Sequence, residues 1–182
     1  MRHKSTEAKP RLRRTTSEDA PALARLMVDA WQAAYRGLVP DMDLSRLNVR
    51  RWAARFRESL ATGTEETYAV EARGAVVGLL TLGACRDPDE DQEATGEIWG
   101  IYLAPSHWRR GIGSWVCKEG ERMLRERGYG QVVLWVFERN EQARRFYETV
   151  GFHPDGATKT QQVGTALAVM RYRKPLGNRS TD

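Results

Sequence analysis

One segment limits the architecture of this chain more than any other: Leu103-Ala104-Pro105-Ser106-His107-Trp108-Arg109-Arg110-Gly111-Ile112-Gly113-Ser114. An apolar strand ends there, a glycine-bearing turn carries two arginines, and an amphipathic helix begins. The first turn of a helix exposes backbone N–H groups at the positive end of its dipole, so it attracts an anion. Gly111 and Gly113 have no Cβ to obstruct a close approach. Arg109 and Arg110 add forked, charge-assisted donors that suit phosphate oxygens. The segment reads as a phosphate cradle.

Two familiar cradles do not fit. A triphosphate loop needs G-x-x-x-x-G-K-[ST], and no Lys-Ser/Thr pair follows these glycines. A dinucleotide fingerprint needs a third glycine where this chain has Val116. A pyrophosphate of coenzyme A type remains. A second segment supports it: Val132 to Phe137 is a continuous β-branched and aromatic run, read as a buried strand. Asn140 then caps a helix that stops at Gly151. Asn140, Ala143 and Tyr147 share one face of that helix, which suits the passage of a cofactor arm.

Together the two segments resemble the acetyl-CoA-binding core of the GNAT superfamily of N-acetyltransferases. The first is similar to its [QR]-x-x-G-x-[GA] motif, the second to a strand followed by N-x-x-A-x-x-F-Y-x-x-x-G-F. The motif's leading Gln or Arg falls on Trp108, a departure that unsettles which side chain meets which phosphate. The resemblance covers residues 11 to 174. It implies an α+β fold: a mixed, mostly antiparallel sheet of six to seven strands, helices on both faces, splayed between the fourth and fifth strands. It implies acetyl-CoA as co-substrate, with Ile101, Tyr102 and Leu103 offering backbone partners to the pantetheine arm. Arg109, Arg110, Gly111, Ile112, Gly113 and Ser114 would hold the pyrophosphate, and Asn140, Ala143 and Tyr147 the arm.

The implied reaction is direct acetyl transfer to an amine. An ammonium must first lose a proton, and Glu97 is the nearest plausible carboxylate on the cofactor strand. The leaving thiolate benefits from a donor, and the Tyr147 phenol can supply one. Trp31 and Tyr35 precede a loop that would wall the acceptor cleft, although helix packing also accounts for Trp31. The acceptor would be a small-molecule or peptide amine. A non-catalytic acyl-CoA-binding module or sensor is the alternative.

The remaining chain agrees with one domain of 182 residues. Residues 1 to 10 read as a mobile basic tail, 11 to 174 as the domain and 175 to 182 as a C-terminal tail. Strands are expected at 11–15, 67–73, 75–85, 97–103, 132–137, 157–163 and 165–173. Helices are expected from Thr16 to about Arg36, Leu44 to Leu60, Gly111 to Arg127 and after Asn140. Residues 86 to 95 read as an acidic, exposed loop. The net charge of +5 comes from 29 bases against 24 interspersed acids, so a solvated surface explains it better than nucleic-acid binding. Cys85 and Cys117 match no metal or redox spacing, and no metal site is expected. No secretory leader or membrane-length apolar run is visible, so a cytoplasmic location is expected. Monomer and homodimer remain equally open.

Overall fold

The chain is described by a computed structural model over residues 9–63 and 65–177. Its elements are β1 (Arg11–Arg14), α1 (Ala20–Ala34), α2 (Asp41–Ser45), α3 (Val49–Thr62), β2 (Glu66–Ala72), β3 (Ala75–Ala84), β4 (Thr95–Leu103), α4 (Ile112–Glu126), β5 (Gln131–Phe137), α5 (Glu141–Thr149), β6 (His153–Val163) and β7 (Thr165–Pro175). The strands form one sheet in the order β1-β2-β3-β4-β5-β7-β6. Every neighbouring pair is antiparallel except β4 with β5. A parallel pair needs a long crossover, and α4 supplies it. The expected mixed sheet, with helices on both faces, is the observed one.

Alternation along β3 divides the core. Leu79 faces α1 and α3, packing with Leu23, Met27 and Phe56. Leu80 and Leu82 face the other way, against Val116, Cys117 and Leu124 of α4. Alternate residues of a strand point to opposite faces, so one strand serves two layers. Gly120 lets α4 approach closely, since a Cβ there would meet Leu80 and Ile98 at about 3.4–3.5 Å. Cys85 and Cys117 are buried free thiols.

The helix starts follow local chemistry. Before α1, the Thr16 backbone N–H donates to Asp19 Oδ2 at 2.7 Å, and Arg13 grips the same carboxylate with two bonds of 2.8 Å. Between these groups a short 3-10 turn, Ser17–Asp19, leads into α1. The helix expected over 44–60 is instead two. Asn48 is extended and caps a new helix by accepting from the Arg51 N–H at 3.1 Å, so α2 ends before it and α3 starts after it.

The loop at 86–95 is exposed over most of its length, as expected, but it is pinned at Asp87. Asp87 is only 5% exposed. It accepts from Trp135 Nε1 at 2.9 Å, Lys159 Nζ at 2.9 Å and Arg171 at 3.2 Å. Arg171 also reaches Asp89 and Asp155, and Arg173 reaches Glu90 and Asp155. β6 begins at His153, earlier than expected, because a register shift between Pro154 and Thr158 swings Asp155 towards these arginines. At the C-terminal end, β7 runs to Pro175 and Leu176 is buried, so the fold passes residue 174. Of the expected tails at 1–10 and 175–182, residues 1–8 and 178–182 lie outside the described residues.

Arg171→Met should destabilise the fold by about 3 kcal/mol, since buried Asp87 and the acids around it each lose one of their charged partners; urea unfolding measures this. Hydrogen bonds from Arg13 hold the Asp19 carboxyl at about 2. That stabilisation is present above the unfolded carboxyl pKa and is lost as pH falls through the folded value. The melting temperature should therefore drop between about pH 4 and pH 2, and the drop should shrink in Arg13→Gln.

Candidate active site

β4 and β5 pair only where Thr95, Gly96 and Glu97 face Gln131, Val132 and Val133. Beyond Glu97 the two strands part. The cause lies on the other edge of β4: Thr81 pairs with Gly100 and Leu82 with Ile98, leaving Trp99 as an extra residue. A bulge of this kind bends its strand and raises its twist. Gly100 fits beside the bulge because a Cβ there would lie 2.8 Å from the Tyr102 ring. The opening is a cleft of about 890 Å³.

At one end of the cleft sits the turn before α4. Arg109 and Gly111 both adopt left-handed backbone, with φ of +57° and +78°. Such alternation gathers successive N–H groups into a concave donor set, and the α4 dipole adds its positive end. Arg109, Gly111, Gly113 and Ser114 line the cleft. Two expected contacts do not. Ile112 is packed in the core, which leaves only its backbone for a ligand, and Arg110 lies outside the lining. Trp108, standing where the motif has Gln or Arg, donates its indole N–H to the Leu103 carbonyl at 2.8 Å. That carbonyl is therefore already engaged, while Ile101, Tyr102 and Leu103 all remain in the wall.

Across the gap, α5 presents Asn140, Ala143 and Tyr147 to the cleft, as their spacing predicts. The Asn140 carboxamide oxygen accepts from the Ala143 N–H at 3.1 Å, so its capping role is directly visible. Three phenols converge at the centre. Tyr35 is buried and Tyr102 and Tyr147 are half-buried, and desolvation raises the pKa of each. Tyr147 acts electrostatically on Tyr35, and Tyr102 on Tyr147, so their hydroxyls share one neighbourhood. All three stay protonated at neutral pH and can donate.

Glu97 lies in the same cleft but is not a free strand-end charge. It is 1% exposed and takes bonds from the Arg86 backbone N–H at 3.0 Å and from the Arg86 guanidinium at 3.1 and 2.6 Å. Arg86 in turn lies over the Trp99 ring, 4.2 Å from its centroid. Trp31 meets Tyr35 edge-on at 4.8 Å, and both line the cleft. Sequence reasoning missed Arg86, Asp87, Trp135 and Lys159, which also line it. The acids at 87 and 90 and the bases at 171 and 173 were the available signal. Nothing in one sequence pairs segments so far apart.

The strand gap, the left-handed turn at its mouth and the three phenols at its centre form one cleft along the sheet. Residues 24–152 match the profile of the acetyltransferase (GNAT) family. The chain belongs to that family and is an N-acetyltransferase. It is 27% identical over 129 residues to YuaI, an uncharacterized N-acetyltransferase of Bacillus subtilis, covering 71% of this chain and 72% of that one. A protein named as a probable N-acetyltransferase in Mycobacterium tuberculosis is 28% identical over 152 residues, covering 82% and 83%. Among solved structures, the PaiA N-acetyltransferase of Thermoplasma acidophilum, in complex with coenzyme A, superposes with a TM-score of 0.74 at 16% identity, covering 92% and 99%. Salmonella typhimurium yncA, with acetyl-CoA, gives 0.65 at 18%, covering 96% and 98%. These two likenesses concern the fold. No helix among the described residues is long and apolar enough to cross a membrane.

The two cradle glycines should respond differently to alanine. Gly111 needs a left-handed backbone, so Gly111→Ala should cost about 1 kcal/mol of stability. Gly113 has no such φ and a Cβ there meets Phe146 at 3.4 Å, so Gly113→Ala should be near neutral. Urea midpoints of the two variants check the contrast.

Proposed function

We propose that the chain transfers acetyl from acetyl-CoA directly to a primary amine, with the reaction centred where β4 and β5 part. The observation that carries this is the gap itself: past Glu97 the facing strand edges do not pair, and the anion turn stands at its end. Backbone donors and acceptors left free in a buried gap need partners, and the amides of a pantetheine arm match them. The pyrophosphate would rest on the turn from Arg109 to Ser114, with Arg109 and the α4 dipole opposing its charge. The acetyl group would then lie near Tyr102 and Tyr147.

The chemistry follows from the groups in place. The acceptor ammonium loses a proton to Glu97 through water, and the amine nitrogen then attacks the thioester carbonyl. A cofactor-strand N–H stabilises the oxyanion. As the C–S bond breaks, the Tyr147 hydroxyl gives its proton to the departing sulfur. It regains one from the nitrogen that formed the amide. Desolvation keeps Tyr147 protonated well past neutrality, which fits a donor. Arg86 fixes the Glu97 carboxylate so that it cannot swing away.

Acetyl-CoA at about a hundredfold over its dissociation constant should stabilise the protein by roughly 2.7 kcal/mol. That is a melting rise on the order of 5 to 11 °C for a domain this size. ATP and NAD should give no comparable rise, and equal rises with all three would contradict a coenzyme A cradle. Tyr147→Phe should retain the acetyl-CoA shift while kcat falls by about a hundredfold. Unchanged turnover would remove Tyr147 from the mechanism.

A further inference from the structure

A second cavity of about 580 Å³ opens between α3, β3 and the β6–β7 turn. It shares Trp31, Arg86, Trp99, Gly100 and Tyr102 with the main cleft, so the two are continuous. A molecule in this groove can extend one end to the three phenols without passing the anion turn.

The groove carries charges of both signs: Asp43, against the Gly164 turn, and Glu65 line it together with Arg46, Arg55 and Arg86. Arg86 is itself paired with Glu97. Thr81 is bonded to Thr67 at 3.0 Å. Arg46 and Arg55 make no ion pair among the described residues. Arg55 lies over the Trp52 ring, 5.2 Å from its centroid, which holds the guanidinium while leaving its N–H edge free. Trp31 Nε1, on the wall the two cavities share, is buried and meets no acceptor at full hydrogen-bond geometry, although the Tyr102 hydroxyl is within its reach. It too is a donor. A buried donor short of full hydrogen-bond geometry is costly, so a ligand that brings acceptor oxygens is favoured there.

We propose that the acceptor is an amine bearing a carboxylate on a short tether, its carboxylate held in this groove by Arg55 and Arg46 while its amine passes Trp31 to reach the β4–β5 gap. This rests on the acetyltransferase reading above and names the class of substrate. A short tether follows from position: Arg55 and Tyr102 line the same groove, and Tyr102 borders both cavities. Forked guanidinium contacts to a carboxylate are stronger and more directional than neutral hydrogen bonds, so they discriminate as well as bind. The Trp31 and Trp52 rings would pack the tether.

The test compares matched acceptors with acetyl-CoA: amino acids and ω-amino acids, each beside its carboxamide, with release of the free thiol followed. At least one carboxylate should exceed its amide by about tenfold or more in kcat/KM. Added salt should reduce the preference. Arg55→Gln should bring the ratio close to one, and Arg46→Gln should lower it. Both arginines are exposed, so neither change threatens folding. Equal or better use of every amide overturns the proposal, as does acetylation of no member of any pair by protein that acetyl-CoA stabilises. A protein that acetyl-CoA fails to stabilise instead overturns the transferase reading on which it stands.

Discussion

A sheet satisfies its own backbone, and a sheet that stops doing so part-way across must be held open. This is the constraint on which the molecule turns. β4 and β5 share hydrogen bonds for three residues and then separate, although both continue in extended form. The bulge at Trp99 bends β4 away, Gly100 tolerates the crowding of Tyr102, and Trp108 caps the carbonyl at the end of the strand. On the opposite lip β7 keeps β5 fully paired along its length, so the gap is stiff on both sides. The wedge-shaped opening is thus a property of the backbone, with side chains selecting what enters it.

The ionic cluster around Arg171 performs a related task at the far end. It ties the 86–95 loop to β6 and β7, on the side of the sheet that carries Trp135. Arg86 and Asp87 are consecutive, so the same loop that is pinned by Arg171 also delivers the guanidinium that grips Glu97. Buried charges are expensive unless fully paired, and such a cluster specifies one loop position more than it adds net stability. The placement of Glu97 is therefore tied to residues more than seventy positions away in sequence.

Much of this was legible from the chain alone. The cradle turn, the α5 face and the layered order of strands and helices all arise from short-range periodicity and glycine placement, which one sequence displays directly. The parting of the fourth and fifth strands came from resemblance, with Gly100 as its local trace. What escaped was long-range and polar. Asp87 looked like a solvated loop acid because its partners, Lys159 and Arg171, sit on strands that only the folded sheet brings near. Asn48 was passed over as a helix start because the apolar spacing around Leu47 and Trp52 continues through it. Ile112 packs its side chain into the core, leaving its backbone to face the turn, and Arg110 lies in the turn before α4 and outside the cleft lining.

The bulge that swings Asp155 inward leaves a mark on the outer margin of the sheet as well. β6 is a terminal strand, largely exposed, and its register with β7 breaks between Pro154 and Thr158, where Gly156 takes a φ of +93°. A foreign strand laid along that margin would find its ladder interrupted, one amide missing at Pro154 and a lysine at 159. The kink that completes the ionic cluster inside thus also makes this rim of the sheet a poor template for the addition of a further strand.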